Sequence, residues 1–173
     1  MSFEIKKSIE LLSHTPKVLH ALLHGLSKEW VMENEGPGSW SPFDIIGHLI
    51  VCEETNFMSR VIYILGKDEN KVLSLISMTA HLERNRKIKL ADLLKTLARL
   101  RRKNIIKLAS LNLSAKDLQK TAMHPTLGVV NISHVLSAWV AHDCTHVSQI
   151  LRVIAKQYQS DVGPLIENLR ILK

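Results

Sequence analysis

The sequence predicts an all-α fold, a four-helix bundle with a long crossover connection that takes in residues 1–173 as one domain. Three observations carry this. Four long segments repeat apolar residues at three- and four-residue spacing. No segment alternates convincingly as a strand. The order helix, loop, helix, long connection, helix, loop, helix is that of a bundle. A chain of 173 residues is also long enough to bury roughly 70% of its unfolded surface in a single core.

The first helix is expected over residues 3–27, with Leu19, Leu22, Leu23 and Leu26 on one stripe. Thr15-Pro16 falls inside it, and proline suits a first helical turn better than an interior, so a kink or a fresh start is expected at Pro16. Residues 33–38 are turn chemistry, rich in Gly, Pro and Asn. The second helix has the clearest start. Ser41-Pro42-Phe43-Asp44 supplies a hydroxyl cap, a proline at the first helical position and an acid at the third. It is expected to run to Leu65, before Gly66. A polar stretch over 67–71, an apolar piece around 72–78 and a loop to Lys89 make the crossover. The third helix, residues 90–111, aligns Leu90, Leu93, Leu94, Leu97, Ile105 and Leu108, and turns Lys95, Arg99, Arg102 and Lys103 to water. Residues 113–130 read as a connection without strands. The fourth helix, residues 131–157, carries Leu136, Trp139, Val140, Val147, Ile150, Leu151 and Ile154, and Gly163-Pro164 opens a last turn or two.

Composition narrows the function classes. Hydrophobic residues make up 46% and charged residues 23% of the chain, as in ordinary globular proteins. No apolar run reaches the roughly 18 residues of a membrane span, and the N-terminus lacks the apolar region of a signal peptide. Cys52 and Cys144 form no disulfide framework, so a reducing cytoplasm is the expected location. The net charge of +7 is concentrated. Residues 84–107 hold ten bases and one acid, Asp92, and the rest of the chain has thirteen bases against fifteen acids. The plain reading is one solvated helix face with long side chains. The alternatives are a rim that attracts acidic molecules, or a nucleic-acid surface. No aromatic residue is interleaved with these charges to stack on bases.

Chemistry enters with the histidines. His142 and His146 are four residues apart in the fourth helix. Four residues turn a helix by about 400°, so both imidazoles stand on one face, as half of a transition-metal site. Trp139 and Gln149 share that face and read as a wall and an amide of a pocket. A pair of hydrogen-bonded core histidines or a subunit contact would look the same. His20 and His24 repeat the spacing on a mixed boundary face, His14 and His81 have no pattern around them, and His134, about 80° round the helix from His142, is expected near the pocket rather than in it. A third ligand must come from another helix. His48, flanked by Gly47 in an apolar run, is either that ligand or a satisfied core residue. Asp44 caps its helix or accepts a hydrogen bond from an imidazole, and Cys52 is a ligand or a small core residue.

Several of these residues together form a pattern. Thr15-Pro16, Gly25-Leu26-Ser27, Gly38-Ser39-Trp40-Ser41, Gly47-His48-Leu49 with Glu53, His124-Pro125 with Gly128, and His142-Asp143 with His146 and Gln149 occur in this order along nearly the whole chain. In this the chain resembles the DinB/YfiT-like superfamily. The resemblance implies a helical bundle and a divalent metal, zinc or nickel, held by His48, His142 and His146. Three neutral nitrogens and an open position make a catalytic arrangement, in which a water or a thiol is acidified. It further implies a homodimer acting on a small electrophile, as a thiol S-transferase using a low-molecular-weight thiol or as a hydrolase. A non-catalytic metal- or ligand-binding, stress-response module of the same fold is the alternative. Where the family often has a second histidine and a basic-glycine step around the last ligand, this chain has Thr145 and Val147-Ser148. The ligand positions carry over better than the reaction.

Overall fold

The computed structural model describes residues 3–77, 79–84 and 88–173. Four long helical arms form the bundle: α1 (Ile5–Leu23), α3 (Pro42–Thr55) continued by α4 (Phe57–Leu65), α6 (Leu90–Ser110) and α8 (Ile132–Lys156). Short helices α2 (Lys28–Met32), α5 (Ala80–Arg84) and α7 (Ala115–Leu118) lie in the connections. α1 and α3 each pack on both α6 and α8, which closes the ring of helices. Two 3-10 turns, Gly163–Asn168 and Arg170–Leu172, end the chain, the second against α8.

The expected caps are present where the residues allow them. Ser41 Oγ accepts from the Asp44 amide while the Asp44 carboxylate accepts from the Ser41 amide, with Pro42 at the first position. Asn131 and His134 start α8 in the same way.

Four departures from the sequence reading have physical reasons. α1 stops at Leu23 rather than Ser27, because Gly25 takes φ 86 and turns the chain into α2. Pro16 neither ends nor restarts α1, which runs from Ile5 to Leu23 as one helix. The proline leaves the Leu12 carbonyl without its usual amide donor, and Arg101 Nη1 donates to it at 2.8 Å instead. The second helix is two helices, broken at Asn56, whose ψ of −101 is far from helical. Residues 113–130 contain a hairpin, β1 (Thr121–His124) against β2 (Gly128–Asn131), in antiparallel register from Thr121↔Asn131 to His124↔Gly128. Strands of four residues are too short to show an alternating pattern, but β1 buries Ala122, and Met123 also bridges Val72 of the crossover.

The core has a polar waist. One apolar cluster contains Leu12, Val61, Leu108 and Leu136, and the other contains Leu19, Ile46, Leu97 and Ile150. Between these clusters, α6 carries buried Arg101 and Asn104, and α8 carries Asp143 and His146. Buried polar groups persist only when partnered, so this layer is where specific chemistry concentrates. Among the described residues no helix is long and apolar enough to cross a membrane.

Candidate metal centre

α3 brings in His48, and α8 brings in His142 and His146. Their Nε2 atoms converge, with 3.1 Å between His48 and His142 and 3.2 Å between His142 and His146. Among the described residues, these three form the group of potential ligand atoms close enough together to share one ion. Nitrogens bound to a tetrahedral zinc at about 2.05 Å would lie about 3.3 Å apart, so the spacing fits a divalent ion. Three neutral nitrogen donors also suit zinc, nickel or a similar metal better than magnesium or calcium.

The second ring nitrogens tell how each imidazole is held. His146 Nδ1–H donates to Gln149 Oε1 at 2.9 Å, which fixes the tautomer that leaves Nε2 as a lone pair facing the cluster. Gln149 therefore orients a candidate ligand. His48 Nδ1 and His142 Nδ1 are buried without partners. Asp44 caps its helix, Oδ2 accepting from the Ser41 amide and hydroxyl, and among the described residues it makes no hydrogen bond to an imidazole, although its charge partly offsets the lowering of the His81 pKa by burial. Trp139 differs from its expected place. It is 1% exposed in the core, stacked on Phe57, and donates Nε1–H to Glu53. The indole against the imidazoles is Trp40, centred 4.8 Å from His48 and 6.1 Å from His146. Cys52 Sγ lies 3.5 Å from His48 Nε2 and 3.9 Å from His142 Nε2, with burial pushing its thiol up to about 11.

Burial pushes His48 down to about 3 and His142 to about 4, and His146 is lowered for the same reason. The neighbouring imidazoles add to the first two shifts. All three side chains are thus neutral and fit to ligate at neutral pH. A pH dependence follows. Unfolded histidines titrate near 6.5, so below that pH the unfolded chain takes up protons that the folded, metal-free chain refuses. Stability of the metal-free protein is therefore complete above about pH 6.5 and falls toward pH 4. The slope is at most about 1.4 kcal/mol per pH unit for each fully buried imidazole. It is smaller for His142, which is half-buried and partly screened. Urea unfolding at pH 7.5, 6 and 5 should show the midpoint dropping, and an unchanged midpoint would contradict this electrostatic picture.

Behind the histidines lies a charge network that the sequence reading missed. The charge pattern groups Arg101 with the solvated bases of the third helix, but it is 2% exposed. Its guanidinium forks onto both Asp143 oxygens at 2.6 and 3.0 Å and donates to Glu53 Oε1. Asn104 Nδ2 donates to Glu53 Oε2 and to the Glu53 carbonyl. Burial alone would lower the Arg101 pKa, but Asp143 and then Glu53 outweigh it and hold the cation firmly charged. Asp143 and Glu53 directly follow His142 and Cys52 in the chain, so this network pins the same turns of α8 and α3 that present the imidazoles. A signal was available: Arg101 and Asn104 continue the stripe Leu93, Leu94, Leu97 toward Leu108. Two polar residues at core positions of an apolar stripe announce a buried network. Lys95, Arg99, Arg102 and Lys103 are exposed as expected. Residues 85–87 of the basic segment lie outside the described residues.

His20 and His24 stack on each other, 4.5 Å between ring centres, on the exposed side of α1. His81, which had no pattern to recommend it, is 1% exposed and lies against Trp40 and His48.

Fold and site together define a class: a helical bundle whose polar waist gathers three imidazoles from two helices. The chain belongs to the DinB superfamily, whose family model matches residues 11–150. Among solved structures it is similar to YfiT from Bacillus subtilis, described as a probable metal-dependent hydrolase with an unusual four-helix bundle topology. That likeness has a TM-score of 0.76 and covers 90% of each chain at 16% identity, and it establishes the shared fold. No curated protein sequence matches the chain significantly.

Proposed function

We propose that the protein is a divalent-metal-dependent enzyme that activates a thiol or a water for attack on a small electrophile. It would act as a thiol S-transferase or a hydrolase. The observation that carries this reading is the convergence of three Nε2 atoms, with no carboxylate or thiolate among them. His48, His142 and His146 would hold the ion, zinc or nickel. When bound, the ion supplies Lewis-acid chemistry that makes a water or thiol acidic near neutral pH. Gln149 keeps the His146 lone pair turned inward. Trp40 packs over His48 and His146 on one side of the cluster. The description of YfiT as a probable metal-dependent hydrolase supports the hydrolase branch. The donor set is equally suited to a low-molecular-weight thiol, because nitrogen ligands leave room for a soft sulfur.

The test is a panel of thiols and electrophiles, each also assayed with water alone, on zinc- and nickel-loaded protein. Turnover that requires both metal and thiol assigns the transferase. Turnover without thiol assigns the hydrolase. Metal held tightly with no turnover throughout would instead favour a binding module.

A further inference from the structure

His81 is the one described histidine outside the converging three that the fold buries completely, at 1% exposure. Neither of its ring nitrogens has a hydrogen-bond partner. Buried polar atoms are rarely left so, and two on one side chain call for a ligand. Its surroundings say where that ligand would be. The ring stands edge-to-face against Trp40, 4.6 Å between centres, and against His48, 5.4 Å between centres. The same Trp40 ring lies over His48 and His146. α5 therefore delivers an imidazole to the Trp40 flank of the cluster, while Cys52 Sγ lies beside the His48 and His142 Nε2 atoms, at 3.5 and 3.9 Å. His81 is nevertheless absent from the group of mutually close ligand atoms. It is beside the candidate centre without being one of its converging donors.

We infer that His81 is a positioning residue that hydrogen-bonds the small oxygen-bearing molecule occupying the open coordination position, with Trp40 packed over it. This rests on the metal-centre reading above and deepens it. An imidazole offers one N–H donor and one acceptor, so it selects a ligand with a carbonyl or carboxylate-type oxygen and discriminates against a purely apolar one. A residue with this role leaves metal affinity nearly untouched and changes what binds to the metal.

The experiment uses cobalt-loaded full-length protein titrated with acetohydroxamate and followed by the cobalt visible bands. His81→Phe should bind cobalt within about threefold of the original protein and acetohydroxamate about tenfold more weakly, as expected for one lost hydrogen bond. His81→Gln, which retains a donor and an acceptor, should recover much of that affinity and serves as the folded control. Unchanged acetohydroxamate affinity in His81→Phe would overturn the inference and leave the metal centre standing. Loss of cobalt by His81→Phe to the extent seen with His142→Ala would overturn it too, by making His81 a ligand. Failure of the unmodified protein to bind cobalt would remove the metal centre itself and the inference with it.

Discussion

Replacing His142 by alanine should remove metal binding while leaving the bundle folded. The remaining pair, His48 and His146, cannot enclose an ion, and the dissociation constant should rise by at least about 100-fold. Metal content after equilibration in a zinc buffer should fall from about one ion per chain to a small fraction. The fold should survive, because alanine is the best helix former and His142 is half-buried on α8. Far-ultraviolet circular dichroism checks the second point. His24→Ala is the matched control. It removes one of a four-apart histidine pair that stacks on an exposed face and for which the described residues offer no third donor, so its metal content should be unchanged. Equal retention by both variants would mean that the converging imidazoles are not the binding site.

The largest effect on stability is expected at Arg101. Arg101→Met keeps most of the side-chain volume but strips Glu53 and Asp143 of their buried counter-charge. Removing one partner of such a network destabilises by about 3–5 kcal/mol. For a chain of this size that lowers the thermal midpoint by roughly 10 °C or more. Arg101→Lys should fall between the two, because an ammonium retains charge but cannot fork onto Asp143 while also reaching Glu53 and the Leu12 carbonyl. The Leu12 carbonyl is available only because Pro16 cannot donate to it, which ties α1 into the network through backbone chemistry. A melt of Arg101→Met within about 2 °C of the original would show that the ion cluster contributes specificity without stability.

What could be read from the residues was what periodicity and capping encode. The four long arms followed from leucine spacing, and the start of α3 from Ser41, Pro42 and Asp44. His142 and His146 were legible as a pair because one helix sets their geometry. His48 was legible as a residue out of character with its apolar run, and the family pattern connected it to the pair. Relations between elements were harder. Nothing local distinguishes Trp40 from Trp139, and the choice between them depends on how α3 and α8 cross. His81 sits on a five-residue helix whose position is set by packing on α3 rather than by its own sequence. The break at Asn56 carries neither glycine nor proline, and the hairpin strands are too short for a period to emerge. The net charge of residues 84–107 hides Arg101, whose burial is encoded instead by its position in the Leu97–Leu108 stripe.

The most direct measurement is the X-ray absorption spectrum of the protein loaded with zinc after removal of any affinity tag. A centre built from His48, His142 and His146 predicts three imidazole nitrogens at about 2.0–2.1 Å, at least one further light donor and no sulfur. A sulfur shell at about 2.3 Å would mean that Cys52 closes the site and would contradict an open catalytic position, and a protein that takes up no zinc would contradict the centre altogether.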